Sequence, residues 1–189
     1  VALEPSADLS ARIERAVERA REARLPAEFA AIPTTAAMTR GALAALIGVR
    51  LESMLSEMLL DQAVLTDTGG HWARTWIERV ARARVMQPYE DHTFQPGALV
   101  TRGDLAAAVN RLVTAMAAQS PDLRLRLSRR VQVADMSMNH LSYAAVSIAV
   151  SSGAMPLLAG DRFEVGRLVS GAEAIDVVDR IRVLARTSR

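Results

Sequence analysis

The residues best suited to bind a ligand are an arginine at a predicted helix start and a tryptophan upstream of it. Thr101 and Asp104 flank Arg102 at the start of an apolar helical run. Because the Thr101 hydroxyl and the Asp104 carboxylate can pair with backbone N–H groups there, Arg102 is left pointing outward. A guanidinium beside the free N–H groups of a helix N-terminus is a reasonable anion site. Trp72 adds a flat apolar face for a sugar ring, so the combination predicts a site for a glycan that carries a carboxylate or a phosphate.

The same helix start recurs upstream, where Thr39 and Arg40 repeat Thr101 and Arg102. Each of these residues also has a purely structural interpretation. Threonine and aspartate at such positions are helix caps in the first place, and a tryptophan at the start of a buried helix face usually belongs to the core. Arg102 is required by neither capping nor packing, although arginine near a helix N-terminus is electrostatically disfavoured. A binding role and a structural role for Arg102 therefore both stay open.

Catalysis has little support in the sequence. His71 and His140 occupy equivalent positions of a repeat, which favours one structural turn used twice over a metal site shared with His92. The chain has no Gly-rich phosphate loop, nucleophile elbow or zinc-type helix motif, and its carboxylates form no persuasive acid–base pair. The absence of cysteine excludes disulfides and thiolate metal sites. We expect a protein that is not an enzyme and that needs neither a metal nor a cofactor.

The elements that would hold the site form a helix–loop–helix unit that occurs more than once. Apolar periodicity predicts one helix from near Trp72 and a second from Thr101, with a turn-rich loop over 87–97 between them. The start of the second helix also recurs, in a less complete form, at Thr39. Repetition at a fixed period decides the fold prediction, which is an all-α protein of tandem helix–loop–helix units. At offsets of 68 or 69 residues, the set Asp67, His71, Phe94, Val100 and Thr101 recurs as Asp135, His140, Phe163, Val169 and Ser170.

Composition narrows the class of partner. Half of the 189 residues are apolar but only 4% are aromatic, as in a helical chain with an aliphatic core. The net charge is only +2, and every basic residue other than histidine is an arginine, so the chain lacks the dense basic face of a nucleic-acid binder. Residues 141–160 carry no charge, but they include several serines, Gly153 and Pro156 inside a repeat unit. We therefore expect no nucleic acid and no transmembrane span.

The organisation follows from the repeats. Residues 1–26 contain a predicted amphipathic helix over 7–24, which either packs on its own domain or ends an upstream helical-repeat domain. Three units follow at 27–65, 66–118 and 133–189, with an arginine-rich linker at 119–132. In the first unit a helix is predicted from Thr39 to about Leu60, and in the last a capping box formed by Ser170 and Glu173 opens a helix to about Ala185.

Three stretches of the central unit resemble the S-layer homology (SLH) domain: Gly70 to Ala73 (GHWA), Tyr89 to Pro96 (YEDHTFQP) and Val100 to Asp104 (VTRGD). The resemblance covers roughly residues 27–186 and implies three tandem repeats in one all-helical, pseudo-threefold domain. It implies an extracytoplasmic protein, anchored in the cell envelope through a wall polysaccharide or peptidoglycan-linked polymer that is often acidic or pyruvylated. Its glycan-binding residues would be Thr39, Arg40, Trp72, Thr101, Arg102 and Asp104.

The three copies depart from the family pattern. The first has Ala42 in place of the acid, the third has Gly171 in place of the arginine, and His92 replaces the usual glycine. These losses keep a second hypothesis open, a structural or protein-interaction subunit of an envelope assembly that uses the scaffold without the sugar. A solvent-lined groove in which Arg40 or Arg102 is exposed together with Trp72 would favour glycan binding. Burial of those residues, or a broad apolar surface against another chain, would favour the second hypothesis.

Overall fold

The computed structural model describes residues 24–187 and, before them, only Leu9, Arg12, Ile13, Ala16 and Ala20. The helix predicted over 7–24 thus lies for the most part outside the described residues. The described chain is all-α, and no β-strand occurs in it. Its helices are α1 (Ala27–Ala30), α2 (Arg40–Arg50), α3 (Glu52–Glu57), α4 (Arg74–Arg82), α5 (Arg102–Ala117), α6 (Pro121–Leu127), α7 (Tyr143–Ser151) and α8 (Gly171–Thr187), with a 3₁₀ turn at Ile32–Thr34.

Side-chain caps start the two helices that carry the Thr-Arg motif. The Thr101 hydroxyl accepts the Asp104 N–H at 3.2 Å and the Asp104 carboxylate accepts the Thr101 N–H at 2.9 Å, which completes a capping box at the start of α5. At α2 the Thr39 hydroxyl accepts the Ala42 N–H at 3.3 Å. Both predicted starts are therefore correct, because a hydroxyl at the N-cap satisfies an N–H that has no partner within the helix.

One predicted helix is interrupted. The helix expected from Thr39 to about Leu60 ends at Arg50 and resumes as α3, because the Leu51 backbone leaves the helical region at φ −113° and ψ 26°. Leu51 and Leu55 are both buried. Within the segment 119–132, which was predicted as a linker, Ser120 caps a short helix, α6, with proline at its first position. Leu123 of α6 is buried, whereas the arginines of this segment are exposed.

The closest helix packing joins successive units. Helix α2 packs on α4 of the central unit, and α5 of the central unit packs on α7 of the last. Helix α8 lies against both α2 and α5. One aliphatic core runs through all of them, and it includes Leu43, Leu46, Ile77, Leu105, Leu112, Val146 and Ile181. The core is therefore shared between the units and does not divide into separate ones.

The backbones of three buried residues form a closed ring of hydrogen bonds at the centre of the fold. The Met38 N–H donates to the Val169 carbonyl at 2.7 Å, Val169 donates to Val100 at 3.0 Å, and Val100 donates back to Met38 at 2.8 Å. All three side chains are fully buried. Each residue lies two positions before a helix start, so the ring ties the starts of α2, α5 and α8 together and satisfies polar groups that water cannot reach.

Within the described residues, no helix has the length and apolar character needed to cross a membrane. The uncharged stretch 141–160 contains α7 and the turn that follows it, and α7 ends at Ser151.

Candidate ligand-binding site

The two long loops are shaped by an aspartate that precedes each of them. The Asp67 carboxylate accepts the N–H groups of Phe94 and Gln95, both at 2.7 Å. Asp135 does the same for Phe163 and Glu164, both at 2.8 Å. The Phe163 N–H holds the pKa of the Asp135 carboxyl below its usual value. Phe94 and Phe163 are fully buried.

The loops share their unusual backbone conformations as well. His92 and Asp161 have φ angles of 63° and 53°, and Gln95 and Glu164 have 54° and 56°. Both pairs are separated by the repeat distance of 69 residues. His92 thus adopts a left-handed conformation, in which glycine is favoured and a side chain adds strain.

Arg102 is buried inside the protein. Its side chain is 1% exposed, and the prediction that it points outward is wrong. Its guanidinium donates to the carbonyls of Phe163 at 2.7 Å and Pro156 at 2.9 Å, and it forms an ion pair with Glu173. The guanidinium carbon lies 4.4 Å from the centre of the Phe163 ring. Arg102 thus fastens α5 to the loop of the following unit, and every side of it is covered by protein.

Arg40 makes the equivalent contacts but remains partly open to solvent. It donates to the carbonyls of Phe94 at 2.8 Å and Gln87 at 2.9 Å. Its guanidinium carbon lies 4.7 Å from the Phe94 ring centre and 4.9 Å from that of Tyr89, a residue that is 44% exposed. Among the described residues no carboxylate pairs with Arg40. A carboxylate therefore neutralises Arg102, whereas Arg40 keeps its positive charge without such a partner among the described residues.

The difference between Arg40 and Arg102 depends on the acidic residue that lies three positions after a helix cap, Asp104 in α5 and Glu173 in α8. Asp104 keeps its short side chain in the capping box of its own helix, next to Thr101. Its counterpart Glu173 is one methylene longer. The predicted Ser170–Glu173 capping box forms only by the bond from the Glu173 N–H to the Ser170 hydroxyl, at 3.2 Å, and the carboxylate turns to Arg102 and Arg167.

The start of α8 has a structural reason to lack an arginine. Gly171 lies where the earlier copies have Arg40 and Arg102, and its N–H donates to the Thr35 carbonyl at 2.8 Å. A Cβ atom at Gly171 would lie 1.7 Å from the Ile32 carbonyl oxygen. The backbone of the 3₁₀ turn thus occupies the space that any side chain would need. The glycine is required by this close approach, and it is not simply the trace of a lost ligand contact.

Trp72 is half-buried and belongs to an aromatic cluster. Its ring lies 5.7 Å from that of His71 and 6.1 Å, edge to face, from that of Trp76. The His71 ring in turn packs against Gly41, where an added Cβ would meet it at 2.6 Å. Trp72 therefore lies on the side of the Arg40 helix start, whereas Arg102 contacts the loop before α8.

Comparison with known families identifies one segment of the chain. Residues 65–106 match the S-layer homology domain. The matched SLH segment runs from before the Asp67 anchor, through α4 and its loop, to the first turn of α5. The SLH domain is generally a cell-wall anchoring module, so its presence supports an association with the cell envelope or surface. No curated protein matches the chain.

The SLH resemblance did not single out Arg111, which lies on α5 close to Arg40. Its guanidinium donates to the Val85 carbonyl and to the Gln87 side-chain oxygen, both at 3.1 Å. Gln87 accepts from both arginines, since its backbone carbonyl receives Arg40. Arg111 lies nine positions into the helix and outside any capping motif, so only its proximity in space connects it with Arg40.

The described residues contain no group of three or more histidine or acidic side chains that could hold a metal ion. That the protein uses no metal or cofactor and catalyses no reaction stays a prediction.

Proposed function

We propose that this protein is a non-catalytic module that anchors to the cell envelope by binding an anionic wall polysaccharide. Three SLH units, at 27–65, 66–118 and 133–189, would surround a pseudo-threefold axis. The match at 65–106 supports this proposal. So do the hydrogen-bond ring of Met38, Val100 and Val169 and the recurrence of the same loop conformation 69 residues later.

The observation that carries the proposal is the environment of Arg40. Its guanidinium has two carbonyl acceptors and two aromatic rings but no carboxylate among the described residues, and it is partly open to solvent. A cation held in place by neutral groups keeps its attraction for an anion, and charge-assisted hydrogen bonds are the strong ones. The exposed Tyr89 ring beside it offers a face for a sugar. We therefore assign the anion-binding role to Arg40, since the buried Arg102 cannot contact a ligand.

The first test is sedimentation with cell-wall sacculi from the organism that produces the protein. We expect the purified chain to pellet with intact sacculi at moderate salt and to stay in solution with sacculi stripped of their secondary polymer by hydrofluoric acid. High salt should release it, because screening weakens exposed charge pairs. Pelleting that is equal with stripped sacculi, or that is absent with both, would refute attachment through an anionic polymer.

A second function is favoured by the starts of α5 and α8, where the motif positions are covered by protein and cannot contact a ligand. Arg102 is sealed by Glu173, and the position of Gly171 is filled by the Ile32 carbonyl. A scaffold whose motifs mainly join its own units could serve as a structural subunit of an envelope assembly. This alternative predicts retention by intact envelopes that is unaffected by polymer removal but is lost after the envelope proteins are digested with protease.

A further inference from the structure

An open cleft with a mixed apolar and polar lining lies beside Arg111, apart from the Thr-Arg motif. Its volume is about 420 Å³, and it runs between the turn after α4 and the middle of α5. The cleft is shallow and open to solvent, so it offers room for one sugar ring against its wall but does not enclose it. Its lining combines apolar residues such as Met58 with polar groups of Arg84, Gln87, Asn110, Arg111 and Thr114.

The positive charge in this region is only partly neutralised. Arg84 forms an ion pair with Asp61. Arg111, in contrast, has only the Val85 carbonyl and the Gln87 amide as acceptors and no carboxylate partner among the described residues. Burial lowers the pKa of Arg111, and the nearby charge of Arg40 lowers it further. An anion in the cleft would relieve both effects, since it would neutralise a partly desolvated charge and screen it from its neighbour.

The polar groups of the cleft suit a sugar that carries the anion. The Thr114 hydroxyl donates to the Asn110 side-chain oxygen at 3.1 Å, so the Asn110 NH₂ group can donate to a sugar hydroxyl. The larger groove of the protein, about 830 Å³ between the C-terminal ends of α2, α5 and α8, is less suited to an anion. Charges of both signs line it, and its Glu52 and Glu57 carboxylates would repel an anionic ligand.

We propose that this cleft binds an anionic sugar residue, a hexose with a carboxylate or a phosphate, through Arg111, with Gln87 and Asn110 as contacts to its hydroxyls. The inference rests on the proposed function, and it adds to Arg40 a second charged subsite on α5. Gln87 couples the cleft to Arg40, because it accepts hydrogen bonds from both guanidiniums. A polymer could therefore run from the Tyr89 face past Gln87 into the cleft.

The test is an NMR titration of the full ¹⁵N-labelled chain with glucuronic acid, glucose 6-phosphate and neutral glucose. Whichever acidic sugar binds should shift the amide resonances of Gln87, Asn110 and Arg111, and glucose should not. The two acids distinguish a carboxylate from a phosphate ligand. The Arg111→Gln variant should weaken the response about ten- to a hundredfold, and Arg111→Lys should retain most of it. Arg180→Gln, in an exposed ion pair on α8, is the matched control and should bind like the wild type.

Equal shifts with glucose, shifts outside the cleft, or an unchanged affinity of Arg111→Gln would overturn the inference. Sedimentation separates its failure from that of the proposed function. If the wild type pellets with intact sacculi and Arg111→Gln pellets equally well, the cleft is not the subsite but the anchoring proposal stands. If the wild type does not pellet, the anchoring proposal itself fails.

Discussion

Replacement of Arg102 by alanine is expected to destabilise the folded protein by about 3–5 kcal/mol, because it removes one partner of a buried ion pair. The substitution leaves the carbonyls of Phe163 and Pro156 without their donor and removes the cation from the Phe163 ring. For a chain of this length, such a loss corresponds to a fall in Tm of about 6–20 °C. Urea unfolding followed by circular dichroism measures the difference directly.

The control is the double variant Arg102→Met with Glu173→Leu. It replaces the ion pair by apolar side chains of similar size, which often costs little. We expect it to be clearly more stable than Arg102→Ala, although Arg167 loses its contact with Glu173. A destabilisation below about 1 kcal/mol for Arg102→Ala would contradict the buried structural role, since that is the range of exposed pairs.

Introduction of an arginine at the start of α8, where α2 and α5 begin with one, should be harmful. In Gly171→Arg, as in Gly171→Ala, the new Cβ would collide with the Ile32 carbonyl at 1.7 Å. The 3₁₀ turn would have to move away, and the bond from the Gly171 N–H to Thr35 would be lost. We expect a loss of at least about 3 kcal/mol for either variant, at the upper end of the cost of overpacking.

Gly166→Ala is the matched control for this prediction, because no atom lies within 4 Å of a Cβ at that position. It should change the free energy of unfolding by no more than about 0.5 kcal/mol. Thermal melts of the three glycine variants measure the contrast. If Gly171→Arg melts at the wild-type temperature, the tight approach of Ile32 to the start of α8 is wrong.

The local features of the fold were predictable from the sequence because they depend on neighbouring residues. The start of α5 follows from Thr101 and Asp104, and the all-α class follows from apolar periodicity. The bend at Leu51 was not predictable, because the helical pattern runs through it. The turn is a local departure of the Leu51 backbone from helical angles, and no proline or glycine at 49–53 marks it.

The candidate site was harder to predict for the same reason. Whether an arginine at a helix start faces solvent depends on residues far along the chain, and Glu173 lies 71 positions from Arg102. Nothing near Arg40 or Arg102 in the sequence distinguishes them. They differ because the Asp104 carboxylate remains in the cap of its own helix and does not pair with Arg40. The longer Glu173 side chain leaves its cap and pairs with Arg102. Arg111 has no motif at all, and only the fold brings it to Gln87.

The most direct test of the account compares the two arginines of the Thr-Arg motif in one sedimentation assay with intact sacculi. Arg40→Gln should lose at least about tenfold in affinity, the contribution of a charge-assisted hydrogen bond to an anion. Arg40→Lys should recover part of it, and the Arg102→Met/Glu173→Leu variant should bind like the wild type once shown to be folded. Loss of binding in the Arg102 variant with full binding by Arg40→Gln would contradict the account.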